Sequence, residues 1–254
     1  MTIPGLDPME FARLAEALRA APTPTRTAEE IVSYVGQQLH ADHVGITLIR
    51  HRRLETVAAT DQLVRLADAF QYELDEGPCR DSSWERQTLL VGDLTTDGRW
   101  PKWASTVTAL GITSVLAAEL TGNEIRRIGS INVYWTRHRT FSADDIAFVN
   151  IFARHAAIAL AQSLDEAGLN MALDSRKLIG QAQGILMERY GLDETRAFEV
   201  LRRYSQDHNI KLRDIAEHLL AARQLPTNAE ITNGWSTTRC GRSAPAAPGQ
   251  SDPI

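Results

Sequence analysis

Every run in this chain that reads as a β-strand falls between Val44 and Trp135, and everything after Trp135 reads as helix. That division limits the folds open to it. Runs 44–50 and 54–60 are rich in β-branched residues and are joined by the polar corner His51-Arg52-Arg53. A brief run follows at 89–91. Runs 114–120 and 125–135 then flank Gly122-Asn123, a two-residue turn signal. Strands joined by tight turns pair antiparallel. Around them, apolar residues recur at spacings of three and four. Met9, Phe11, Leu14, Ala15 and Leu18 form a first stripe, and Pro22 and Pro24 then break the chain. Ile31, Tyr34, Val35 and Leu39 follow a cap at Thr27 with Glu30, and Leu63, Leu66, Ala67 and Phe70 follow Asp61. Ile146, Val149, Phe152, Ile158 and Leu160 follow the capping pair Ser142 and Asp145. The expected fold class is α+β, one antiparallel sheet flanked by helices, followed by an all-α three-helix bundle.

The chain is long enough for two modest domains, at 254 residues with 43% hydrophobic and 23% charged content. Its two cysteines, Cys79 and Cys240, are too far apart for a disulfide framework or a metal pattern. No signal peptide opens it, and no apolar run reaches the roughly 20 residues that span a bilayer. A cytoplasmic protein with no membrane partner and no metal is expected. A net charge of −5 excludes broad electrostatic binding of nucleic acid. Between Asp174 and Arg223, however, nine Lys/Arg stand against eight Asp/Glu. Recognition there would rest on a few placed cations.

The stretch 178–190 reads as one helix with Ile179, Ala182, Leu186 and Tyr190 on its apolar stripe. At about 100° per residue, Lys177, Gly180 and Gly184 share the opposite stripe, with Gln181 and Gln183 on its flanks. A glycine in an exposed helix costs roughly 1 kcal/mol against alanine. Two of them, four apart, mark a close approach, by a phosphate-bearing partner or by another helix. Gly191 ends this helix, Asp193 caps the next over Ala197, Val200, Leu201 and Tyr204, and a third starts near Lys211 over Leu212, Ile215, Ala216 and Leu219.

Ser175-Arg-Lys-Leu-Ile-Gly-Gln-Ala-Gln-Gly-Ile-Leu-Met187, then Ala197-Phe198, Leu201-Arg202 and Lys211-Leu212 with Ile215-Ala216, resemble the ANTAR family of transcription-antitermination modules over 174–223. The resemblance implies a three-helix RNA-binding module that recognises paired stem-loops in a nascent leader. Gln183 stands where many members carry Lys. The residues it assigns to RNA are Arg176, Lys177, Gln181, Gln183, Gly184, Phe198, Arg202, Arg203 and Lys211. Amides would read loop bases, cations would hold phosphates, and Phe198 would either stack on a base or pack in the bundle.

Upstream, Tyr72-Glu-Leu-Asp-Glu-Gly-Pro-Cys79, Leu90-Val-Gly-Asp-Leu94, Asp97-Gly-Arg-Trp-Pro101, Leu110-Gly-Ile-Thr-Ser-Val-Leu116 and Gly129-Ser-Ile-Asn-Val-Tyr134 resemble a GAF sensory domain over 25–165, of the actinobacterial kind that precedes ANTAR modules. The resemblance implies a small-molecule pocket near Cys79, Trp84, Asp93, Arg99, Trp100 and Trp103. Those residues also read as core, the tryptophans plugging the crossing loops and Arg99 paired to Asp97 or Asp93. Arg80 beside Cys79 would lower its pKa and make it redox-sensitive, and a buried inert thiol is the other reading. His155 reads as structural. No Walker loop, HExxH or GxSxG motif occurs, so no enzyme is expected.

The domain plan expected is an N-terminal helix and linker at 1–24, the GAF-like sensor at 25–165, the ANTAR-like module at 166–225 and a polar, disordered tail at 226–254. Leu164, Met171 and Leu178 repeat every seven residues, with Leu160 at the other core position, as a coiled-coil seam for a parallel homodimer. Two other classes stay open: a helix-turn-helix-like DNA reader, and a sensor that acts through a protein partner.

Overall fold

The computed structural model describes residues 8–85, 87–123, 126–227 and 231. The chain divides into two compact units, Met1–Gly168 and Leu169–Ile254. The first holds α1 (Pro8–Ala20), α2 (Pro24–Leu39), β1 (His43–Arg50), β2 (Arg53–Ala59), α3 (Gln62–Leu74), α4 (Pro78–Glu85), β3 (Leu89–Val91), α5 (Pro101–Ala109), β4 (Ser114–Asn123) and β5 (Arg126–Trp135). Helix α6 (Ala143–Tyr190) runs through the division, and α7 (Glu194–His208) and α8 (Leu212–Ala222) complete the second unit. The five strands form one sheet in the order β2-β1-β5-β4-β3, with every pair antiparallel. The α+β sensor-type sheet followed by an all-α bundle is the class read from the sequence.

Local chemistry sets the element ends, at places earlier or later than expected. The α2 helix begins at Thr23, whose hydroxyl accepts from Arg26 N at 3.2 Å, with Pro24 in the first turn. Proline has no N–H to lose there, so it starts the helix instead of breaking it. Thr27 is inside the helix and fully buried, and its hydroxyl donates to Thr23 O at 3.1 Å. Asp61 caps α3 as expected, accepting from Leu63 N and Val64 N. The corner His51-Arg52 has φ of 50° and 64°, the two left-handed residues that a tight hairpin needs. Gly122-Asn123, expected as the turn, lies in β4 instead, where Asn123 is opposite Arg126; residues 124–125 lie outside the described residues. Ser142 and Asp145 form the expected reciprocal box at the start of α6.

The two faces of the sheet differ. Val44, Ile46, Leu48, Leu116, Ala118, Leu120, Ile131 and Val133 pack with α2 and with Phe148, Val149, Phe152, Ala156 and Leu160 of α6. Leu14 of α1 joins this core, while Met9 and Ala15 are exposed. Ile158 is 55% exposed, so the inward stripe of α6 is narrower than expected. The other face meets α3 and α5 through Val64, Ala67, Trp100, Trp103, Val107 and Val115. There α3 turns Val64, Ala67, Asp68 and Gln71 inward and leaves Leu66 exposed.

Against expectation, α6 is long and apolar enough to cross a membrane by length and composition, with mean hydropathy 1.2 over a window that is 39% buried. Alanines between its core-facing side chains keep that window low in charge. In the second unit, Ala182, Leu186, Ala197, Leu201, Ile210, Ile215, Ala216 and Leu219 make one core. Gly191 (φ 63°) ends α6 and Asp193 caps α7, accepting from Arg196 N at 2.8 Å. Leu225 packs on this core and Tyr204 donates to Pro226 O, so the bundle reaches the start of the expected tail. The rest of that tail, with Cys240, lies outside the described residues apart from Thr227 and Ile231.

Candidate functional site

Two sets of side chains stand out, one inside the first unit and one on the surface of the second. The inner set starts from strand register. Thr56, Thr47, Ser130 and Glu119 face one another in a straight row across β2, β1, β5 and β4. Asn132 and Tyr134 continue the same face of β5 by alternation. Helix α3 lays Asp68 over this polar row. Its carboxylate has no exposed surface. Oδ1 accepts from Tyr134 at 2.6 Å, Asn132 at 3.3 Å and Gln71 at 3.4 Å. Oδ2 accepts from Thr56 at 2.8 Å and Thr47 at 3.5 Å. Five neutral donors and no cation surround it. Burial therefore wins over hydrogen bonding and pushes Asp68 up to about 6. Burial also raises the phenols of Tyr72 and Tyr134.

Cys79 enters the same network from α4. Gln71 Oε1 accepts from Cys79 N at 2.7 Å, and the thiol meets Ser130 Oγ at 3.1 Å and Thr47 Oγ1 at 3.2 Å. Gly77 makes this entry tight: at φ 139°, a Cβ would sit 2.2 Å from Gln71 Oε1. Burial pushes the Cys79 thiol up to about 12. Arg80 turns away from it to Asp75 at 2.6 Å and Asp81 at 2.9 Å. Of the two readings of Cys79, the structure therefore carries the buried, inert thiol and not the one activated by Arg80.

Of the six residues expected around a pocket, Arg99, Trp100 and Trp103 touch in a chain. Trp100 and Trp103 are buried core, edge to face at 6.3 Å. Their ring N–H groups donate to Asp81 at 2.7 Å and to Ala67 O at 2.9 Å. Trp84 is half-buried on α4. Arg99 pairs with Asp97 at 2.6 Å, holding that carboxyl below its usual range, and lies 4.5 Å over the Trp100 ring. Asp93 accepts from Thr95 and stands 3.5 Å from His138. Of the six, only Cys79 has a polar contact with the buried row. Asp68, Thr47, Ser130 and Asn132 were missed. The signal was available: Val64, Ala67, Asp68 and Gln71 share one helical face, and the polar strand residues alternate with apolar ones.

On the bundle, Lys177, Gln181 and Gly184 form one exposed stripe of α6, with Arg176 and Gly180 beside it. A Cβ at Gly180 or Gly184 would meet nothing within 4 Å, so among the described residues no helix packs on them. Gln183 is half-buried, and its amide donates to Glu194 O at 3.2 Å, tying α6 to the start of α7. Phe198 and Arg202 share an exposed stripe of α7. Arg202 and Arg203 make only loose pairs, at 4.0 Å with Glu199 and 3.8 Å with Asp207. Such exposed pairs hold an arginine weakly. Lys211 is the exposed residue before α8. Tyr190, expected on the apolar stripe, is exposed because it lies in the last turn of α6 beyond the bundle core, and Arg196, which the sequence reading passed over, is exposed as well.

The expected seam does not hold together. Leu160 is buried against its own sheet and Leu164 packs there too. Leu178 packs on the bundle core, and Met171 alone of the four is exposed. The heptad spacing is real, but sheet and bundle claim its residues first. The exposed large apolar residues near the joint are Leu169, Met171 and Leu173.

Residues 21–161 match the GAF domain family, and residues 167–220 match the ANTAR domain family. A nitrate regulatory protein of Klebsiella oxytoca is 39% identical over 59 residues, 23% of this chain. The chain spans 15% of that regulator's length in the match. Among solved structures, a GAF domain from an Acinetobacter phosphoenolpyruvate-protein phosphotransferase is 13% identical, covering 64% of this chain and 99% of its own, with a TM-score of 0.49. A domain of a two-component sensor histidine kinase protein from Sinorhizobium meliloti is 19% identical, covering 56% and 94%, with a TM-score of 0.48.

Proposed function

This chain belongs to the GAF domain family and carries an ANTAR domain behind it, and on that premise we propose that it is a sensor-controlled transcription antiterminator that binds paired stem-loops in nascent leader RNA. One observation carries the reading: the bundle keeps Lys177, Gln181 and Gly184 on an open stripe of α6, and Arg202 beside Phe198 on α7, with none of them committed to its core. Cations on phosphates and an aromatic against an unstacked base are what single-stranded loops recruit. Open backbone at Gly180 and Gly184 lets a sugar-phosphate strand approach closely. Its action is binding and not catalysis, in the cytoplasm where transcripts form.

The active form is a homodimer, which presents two bundles to two hairpins. Leu169 and Leu173, four apart on α6 and both exposed, are the pairing stripe in place of the seam read from the sequence. Changing both to glutamate yields a monomer in sedimentation, and an unchanged dimer rejects the stripe. The direct test of function is transcription in vitro across a leader with two adjacent hairpins and a terminator. The full chain raises read-through, and disruption of either hairpin removes the effect. Equal read-through with and without protein, across ligand conditions, rejects antitermination.

A further inference from the structure

Helix α4 turns Cys79, Ser82 and Ser83 toward the sheet: their spacing of three and four puts them on one face, and all three have no exposed surface. Cys79 reaches Ser130 on β5, and Ser130 stands directly opposite Glu119 on β4. Glu119 alternates with Ala118 and Leu120, which face the apolar core, so it belongs to the α4 side together with Thr121. Four oxygens here are buried without a hydrogen-bond partner: Ser82 Oγ, Ser83 Oγ, Glu119 Oε1 and Thr121 Oγ1. Each such group costs about 1–3 kcal/mol. Four on one facing helix and strand are a standing demand for a donor. A hydroxyl is content with water; Glu119 is half-buried as a residue, and the one oxygen it turns away from solvent favours a positive charge.

The charge around it points the same way. Asp68 lies over the same face, hydrogen-bonded to Tyr134 and Asn132 of β5, the strand beside β4. Among the described residues, no Lys, Arg or His is a fully buried side chain. Arg127, opposite Thr121 on β5, is exposed and leaves its charge in water, so an anion entering here would meet the two carboxyls first.

We propose that the α4–β4 interface is the sensor's ligand site and that it takes a small organic cation through a primary ammonium or amidinium group. Glu119 Oε1 is its charge partner, and the hydroxyls of Ser82, Ser83 and Thr121 accept its remaining hydrogens. Nitrate, carboxylates and nucleotide phosphates are the wrong sign. The inference rests on reading the first unit as a sensor and adds its ligand class.

The test uses the full chain, with putrescine, ethanolamine and agmatine as probes and sodium nitrate and cyclic AMP as opposite-sign controls, at matched ionic strength. Calorimetric titration and thermal shift are read on wild type, Glu119→Gln and Ser82→Ala. At least one amine binds and raises Tm, and Glu119→Gln weakens it about tenfold or more, as expected when one charge-assisted hydrogen bond is removed. Both variants also melt higher than wild type without ligand, Ser82→Ala because it removes an unpaired buried hydroxyl and Glu119→Gln because it replaces a half-buried charge with a neutral amide. A merely structural Glu119 predicts a lower Tm instead. The proposal is overturned if no amine binds and only water fills the interface, if Glu119→Gln leaves amine affinity unchanged, or if an anion binds in the amine's place. Hairpin binding by ligand-free wild type and variants is measured beside it. Its absence from wild type rejects the RNA reading and leaves the amine titration intact.

Discussion

The two units put their polar side chains in opposite places. Among the described residues, every fully buried polar side chain, from Thr27 to Asn132, lies in the first unit. The fully buried side chains of the second unit's core are all apolar, and Lys177, Gln181, Arg202 and Arg203 face outward. Buried polarity costs stability unless satisfied. A unit that carries a whole network of it is built for something other than stability alone, and one that shows its polarity outward is built to be touched. The first arrangement suits a small ligand held within, the second a large charged one held on the surface.

The contrast breaks most easily in the bundle core. Leu201→Ala empties a fully buried site on α7 and costs about 2–5 kcal/mol. Helicity of the bundle and RNA binding should fall together, while the Trp100–Trp103 environment stays intact by near-ultraviolet circular dichroism. Loss of both signals at once would mean that the two units fold as one.

A smaller effect sharpens the interior side. Asp68 rises from 3.8 to about 6 on folding, so the fold favours its protonated form. Stability from this group is greatest below the unfolded value, falls as pH rises through the window from 3.8 to about 6, and is then constant. The fall amounts to about 3 kcal/mol at 1.36 kcal/mol per unit. Urea melts across pH 4–7.5 should show that slope in wild type and its loss in Asp68→Asn. An equal slope in both would assign the pH dependence to other groups.

The smallest effect on stability is expected on the bundle surface. Lys177→Ala and Arg202→Ala should each shift it by no more than about 0.5 kcal/mol, since neither side chain is part of the core. A larger loss in thermal melts would make them structural.

What the sequence disclosed follows from how local each signal is. Strand runs and helical stripes depend on neighbours in the chain, so β1, β2, α7 and α8 were legible, as were the caps at Asp61, Ser142 and Asp193. Thr23 was passed over because Pro24 was read as a breaker. Asp68 was invisible to a search for apolar stripes: its burial is set by Tyr134, Asn132 and Thr47, which are distant in sequence. Leu160 fits a heptad and a sheet-facing stripe equally well, and only the sheet decides between them. The lining of a pocket was the least legible feature. Tryptophans that could wall a ligand turned out to satisfy one another and Asp81, and the unpaired oxygens belong to serines of no visible motif.

The most direct measurement is binding of the full chain to a leader with two adjacent hairpins, beside duplex DNA of equal length, across a salt series. We expect selective hairpin binding by wild type. In the Lys177→Ala, Arg202→Ala double variant, affinity falls on every hairpin sequence, and the salt slope drops by about one for each phosphate no longer neutralised. Equal binding of the DNA duplex, or hairpin binding that the double variant leaves unchanged, would contradict the account.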